Sequence, residues 1–182
     1  MEELSDEMIM LRVKKGALAE LSELFDRYHV KLFNFFMKLT FDRAASEDLT
    51  QNLFYRIIRY RNTYEGKENS FKPWIYQMAR NLHADYYRQQ KKNNEVFGRP
   101  EMGHENIAPE TSHFEEDDYK RLDWALQRLE PDQREIIVMS RYQGLKYEEI
   151  SRIRNISVPA IKVQVHRTMK ELRKIYFNHK AS

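Results

Sequence analysis

Eight side chains suited to gripping a polyanion fall on one helical face late in the chain: Ala160, Lys162, Val163, Gln164, Arg167, Lys170, Arg173 and Lys174. Small and amide groups come first and most of the cations follow. A helix that reads duplex DNA needs that order, with its N-terminal residues at base edges and its cations at phosphates. These residues point outward because Ile161, Val165, Met169, Leu172 and Tyr176 recur at helical spacing and turn inward. Just upstream, Tyr147, Ile150, Ser151 and Ile153 share the inner face of another helix. Asn155-Ile156-Ser157 breaks the period between them. Asn tolerates the left-handed backbone of such a turn, Ser157 can cap the next helix, and Pro159 is harmless in a first turn. The pattern predicts a helix-turn-helix. A generic basic hairpin would share the periodicity, but not the short turn with its capping serine.

A second set lies in the first half. Tyr64, Phe71 and Trp74 precede a helix whose outer face offers Gln77, Arg80, Asn81, Asp85 and Arg88. Rings beside Arg and Asn can stack unpaired bases while cations hold the backbone. The same rings could equally close the end of a helical bundle, and the residues alone leave both readings open. A third face, Asp48, Gln51, Asn52, Tyr55, Arg56 and Arg59, offers hydrogen bonds more than bare charge and suits a protein partner.

The elements that must position these groups read as helices throughout. Ser5 or Asp6 caps a helix over 7–15, and Gly16 breaks it. Leu18, Leu21, Phe25, Tyr28, Leu32, Phe36 and Leu39 predict a long amphipathic helix with an aromatic core stripe. Ser46 is the expected cap of a third helix, with Leu49, Leu53 and Ile57 inward, and Pro73 opens a fourth. Residues 93–118 show no helical period and hold eight acids against one base, a net of −7, so the remainder carries +10 of the chain's overall +3. This segment reads as an acidic, flexible linker. Beyond it, Leu122, Ala125, Leu126 and Leu129 form one helix. Pro131 opens another, with Ile136, Ile137, Met139 and Tyr142 inward and Gly144 at its end. The fold class is all-α: two small helical domains, 5–92 and 119–178, on an acidic tether, 93–118.

Composition narrows the function. The chain has 182 residues, 41% hydrophobic and 32% charged, with five glycines, five prolines and no cysteine. No apolar run is long enough to span a bilayer, and MEELSDEMIM is acidic where a signal peptide would be basic, so a cytoplasmic protein without membrane insertion is expected. There is no phosphate-binding glycine loop, no nucleophile elbow and no metal-ligand spacing among the six histidines. Neither catalysis nor a metal, cofactor or small-molecule substrate is expected.

These segments, in order, resemble the extracytoplasmic-function group of RNA polymerase sigma factors, the minimal members of the sigma-70 family. LFDRYHVKLFNFF, SEDLTQNLFYRIIRY and FKPWIYQMARNLHADYYR are similar to region 2, and LDWALQRLEPDQREIIVMSRYQGLKYEEISRIRNISVPAIKVQVHRTMKELR to region 4. The resemblance implies that Asp48, Gln51, Asn52 and Phe54 bind core RNA polymerase. Asn52 replaces the usual acid, which removes one charge-assisted contact. It further implies that Tyr64, Phe71, Lys72, Trp74, Arg80, Asn81, Asp85 and Arg88 melt the minus-ten promoter element and capture an extruded base. Ser157, Ala160, Lys162, Val163, Gln164, Arg167 and Lys170 would meet the minus-thirty-five element. There Val163 and Gln164 depart from the family's small-polar and arginine pair, which shifts the expected preference toward A·T pairs. An anti-sigma factor is the further partner implied. The acidic linker would thread the polymerase cleft as a nucleic-acid mimic.

Overall fold

The computed structural model describes residues 4–67, 70–97 and 113–178, and the described residues form helices and turns with no strand. The part of the expected linker between 98 and 112 lies outside them. The elements are α1 (Asp6–Lys14), α2 (Leu21–Thr40), α3 (Arg43–Tyr60), α4 (Phe71–Phe97), α5 (His113–Gln127), α6 (Pro131–Ile137), α7 (Tyr147–Arg154) and α8 (Val158–Asn178).

Capping explains most of the boundaries. Ser5 Oγ accepts from Met8 N at 3.3 Å and starts α1. The cap of α3 is Asp42, whose Oδ1 accepts from Ala45 N at 3.0 Å, and not the expected Ser46. Ser46 lies one turn inside and fully buried, its hydroxyl donating to Asp42 O at 2.6 Å and meeting Thr40 Oγ1 at 3.0 Å. Both residue types cap well; burial beside Thr40 decides between them. Phe41 ends α2 in the left-handed region at φ 54°, held by burial of its ring. Asn155 does the same for α7 at φ 54°, and Ser157 Oγ accepts from Ala160 N at 3.4 Å to open α8.

The α2 stripe is rotated from its expected position. A short 3-10 turn over Leu18–Glu20 delays the helix to Leu21. The buried set becomes Leu21, Leu24, Tyr28, Leu32, Phe35, Phe36 and Leu39, leaving Leu18 and Phe25 exposed. Phe35, Phe36 and Phe71 are fully buried, and burial of each ring contributes roughly 1.5–3 kcal/mol. Likewise a wide π turn over Val138–Tyr142 shifts the register after α6 and turns Tyr142 partly outward, where its ring meets Lys38 at 5.4 Å.

The linker expectation needs correction at both ends. α4 continues through Phe97 and α5 begins at His113, so 93–97 and 113–118 are helical. Extending a formed helix costs far less than starting one, and no proline intervenes before Pro100.

The two helical regions also pack on each other. α7 lies against α4, the 131–142 stretch lies against α2, and their apolar side chains form one continuous core. Polar ties reinforce the contact: Lys38 with Asp123, Tyr76 Oη donating to Gln143 Oε1 at 2.8 Å, and Arg80 Nε to Glu135 Oε1 at 2.7 Å. Arg134 is the knot. Its guanidinium donates to Leu126 O, Gln127 O and Leu129 O at the end of α5 and to Leu39 O at the end of α2. Four carbonyls at or just beyond two helix ends are thereby gathered by one cation.

Candidate nucleic-acid interface

α4 carries three stripes, and their separation decides what each residue can do. One stripe, with Phe71, Ile75, Ala79 and Leu82, is buried in the core. A second, Tyr76, Arg80 and His83, turns toward the 119–178 region. The third lines an open groove against α3: Trp74, Gln77, Met78, Asn81, Ala84, Asp85 and Arg88, closed on the far side by Arg56, Tyr60 and Thr63. Arg80 and Asn81 are neighbours in the chain, but the Arg80 guanidinium is held by Glu135 while Asn81 lines the groove.

The groove has a volume of about 490 Å³ and is mostly polar on its walls. The amide of Asn81 is exposed in its wall, and the ring of Trp74 is half-buried at its end. Asp85 bridges Arg56 at 3.5 Å and Arg88 at 2.6 Å. This arrangement can accept one unpaired base: a ring to stack on, an amide to read an edge, and cations at the rim.

Several expected site residues lie elsewhere. Tyr64 and Phe71 are 1% and 0% exposed and pack on each other and on Trp74, so they close the bundle end and cannot stack a base in this arrangement. Burial pushes the Tyr64 phenol up from its ordinary value. Arg80 pairs with Glu135, which Arg154 also approaches at 3.7 Å. Lys72 is exposed, but at a different concavity, beside Asp6, Glu7, Arg27 and Lys31. Trp74, Asn81, Asp85 and Arg88 are brought together. Two groove residues not expected from the sequence are Tyr60, the last residue of α3, one turn beyond Arg56, and Thr63, which reaches the groove through the turn at Arg61–Thr63. No periodicity could have found Thr63.

On α3, Asp48, Gln51 and Asn52 stand exposed in successive turns, and Tyr55, 62% exposed, continues the same face. Phe54 does not belong to it. It is buried, with its ring 4.8 Å from Phe25, which in turn stacks on His29 at 4.6 Å. Phe25, read from the sequence as core, is the ring that reaches the surface.

On α8, Lys162, Val163, Gln164, Arg167 and Lys170 are exposed along one face while Ile161, Val165, Thr168 and Leu172 are buried opposite. Ala160 is half-buried and Ser157 is exposed at the helix start, its hydroxyl engaged as the cap. The α7–α8 unit therefore turns a polar, basic face outward from a packed base. Among the described residues no helix is long and apolar enough to cross a membrane, and no group of side chains is arranged to hold a metal ion.

Comparison with known proteins matches both regions. The Sigma-70 region 2 family model covers residues 24–93, and the Sigma-70 region 4 model covers 119–172. RNA polymerase sigma factor CarQ of Myxococcus xanthus is 32% identical over 91% of this chain and 94% of its own. The extracytoplasmic-function sigma factor SigX of Bacillus subtilis is 27% identical over 83% of this chain and 80% of its own. Two solved structures share the fold: CnrH bound to the cytosolic domain of CnrY (TM-score 0.72, 17% identity, 93% and 96% covered), and the sigma factor RpoE bound to the anti-sigma factor NepR from Bartonella quintana (TM-score 0.69, 24% identity, 86% and 96% covered). The chain belongs to the sigma-70 family, in its extracytoplasmic-function group, whose members direct RNA polymerase to promoters and initiate transcription there.

Proposed function

We propose that the α3–α4 groove receives an extruded base of the minus-ten element. Trp74 stacks on it, Asn81 reads its edge, and Arg88 holds the adjoining phosphate by exchanging Asp85 for the backbone. The observation that carries this reading is the convergence of Trp74, Asn81, Tyr60 and Thr63 on one concavity with room for an unstacked base. The α8 face reads the minus-thirty-five duplex, with Gln164 and Val163 at base edges and Lys162, Arg167 and Lys170 at phosphates. Asp48, Gln51, Asn52 and Tyr55 on α3 dock on core polymerase.

The protein acts in the cytoplasm as a binding subunit, without a catalytic site or cofactor of its own. Because RpoE is held by an anti-sigma factor in its solved complex, a similar partner covering the polymerase-binding surfaces is proposed here. Run-off transcription with bacterial core polymerase on fragmented host DNA tests the reading. Protein-dependent transcripts from discrete start sites support it, and Asn81→Ala must then lose the base preference at one minus-ten position. If the protein alone shifts specific duplex DNA and leaves core polymerase unbound, it is a repressor and the reading fails.

A further inference from the structure

The helix α1 lies outside the residues that the region 2 family model matches, yet it touches the turn that closes the base groove. Lys14 Nζ donates to Tyr64 O at 2.5 Å, across fifty residues of chain. Glu7 Oε1 accepts from Phe71 N at 3.3 Å and so caps one of the unsatisfied amides at the start of α4. Gly66 sits at φ 73°, and a Cβ there would come within 2.6 Å of Leu11 Cδ2, so the turn is seated directly on α1. α1 is itself anchored: Arg27 Nη1 donates to Asp6 Oδ1 at 2.7 Å and to Leu4 O at 2.9 Å, and Tyr28 Oη donates to Asp6.

What α1 grips is next to what the groove uses. Tyr64 follows Thr63 in the chain, its ring packs edge-on against Trp74 at 5.3 Å, and its hydroxyl accepts from Ser70 Oγ at 3.0 Å. Tyr64 is too buried to meet DNA, but it is the link through which α1 fixes both Thr63 and Trp74. We infer that Lys14, with Leu11 and Glu7, is a positioning element for base selection: α1 holds the 61–67 turn so that Thr63 and Trp74 keep the shape of the groove. This rests on the proposed reading of that groove. Binding sites held within about half an ångström by supporting contacts discriminate, and looser ones bind without discriminating.

The test uses the full chain with core polymerase on a promoter library randomised across the minus-ten element. The readout is the ratio of initiation between the best and worst base at the most selective position. Lys14→Met, which removes one hydrogen bond, and Gly66→Ala, which unseats the turn, should each lower that ratio on the order of five- to tenfold. Preference at the minus-thirty-five element and affinity for core polymerase should stay unchanged. Lys14→Arg, which keeps the donor, should restore the ratio; a merely stabilising role would be seen in melting temperature and leave the ratio alone. If both variants keep the wild-type ratio while Asn81→Ala flattens it, α1 does not position the groove. If Asn81→Ala also leaves the ratio unchanged, the groove is not the base site, and this inference falls with that reading. Should Lys14→Met fail to fold, Gly66→Ala alone decides, since it disturbs the seat without touching the α1 charges.

Discussion

The groove on α4 and the face on α8 present polar and charged side chains in opposite ways. The groove is concave, and its cations are tied within the protein: Arg88 and Arg56 share the single carboxylate of Asp85. The α8 face is open, and Lys162, Gln164, Arg167 and Lys170 stand exposed along it. An unpaired base offers a flat ring and a hydrogen-bonding edge, which reward a walled, preorganised site. A duplex offers its information inside the major groove, which only a protruding helix can enter. One surface gains by being enclosed and the other by being bare, so the same kinds of residue act differently on each.

The comparison breaks most readily at Trp74. Stacking contributes about 1–3 kcal/mol per base, so Trp74→Ala should reduce open-complex formation by roughly 10- to 100-fold. Binding to a duplex minus-thirty-five site in the holoenzyme should be unchanged. Permanganate footprinting of the melted region measures the first and a mobility shift the second. Equal losses in both would mean that the surfaces are not independent.

Next in size is an effect of acid. His83 lies on the α4 stripe turned to the 119–178 region, and burial first, then the nearby Arg134 charge, brings its pKa down to about 4 from 6.5. The unfolded chain therefore binds a proton more readily than the folded one. Stability is intact above about pH 6.5 and falls by up to about 1.4 kcal/mol per pH unit as pH drops toward 4. Urea unfolding across this range should show the slope, and His83→Gln should flatten it. A wild-type slope in the variant would assign the acid sensitivity to other groups.

Gln164→Arg sharpens the α8 side. An amide pairs with adenine and a guanidinium with guanine, so base preference at one minus-thirty-five position should turn from A to G by about tenfold. The extruded-base preference should not move. An unchanged ranking in a binding selection would remove Gln164 from base contact. The smallest expected effect is at Lys170. Lys170→Ala should weaken holoenzyme binding a few-fold, equally across sequences, and lower the salt slope by about one.

How much of this could be read from the chain differs between the two regions for a physical reason. The α7–α8 unit is local: its turn, caps and faces come from residues within a few positions of one another, and Asn155, Ser157 and the outward stripe stand where periodicity puts them. The groove is not local. Tyr60 and Thr63 meet Trp74 and Asn81 only after α3 folds back on α4, and the Arg61–Thr63 turn has no period to betray it. The sequence also grouped Arg80 with Asn81, although a single residue's rotation carries Arg80 to Glu135 on a different element.

Sequence by itself determined the helical class, the order of the helices and the outward face of α8, because amphipathic period and capping act through neighbours along the chain. Tertiary structure alone decided which of two good caps starts α3, which aromatic rings are core and which are surface, and that α1 reaches the turn beside the groove. Those outcomes depend on burial and on partners dozens of residues away, as exposed Phe25 and buried Phe54 show. A side chain's type states what it can do; its packing states which of those things it is left free to do.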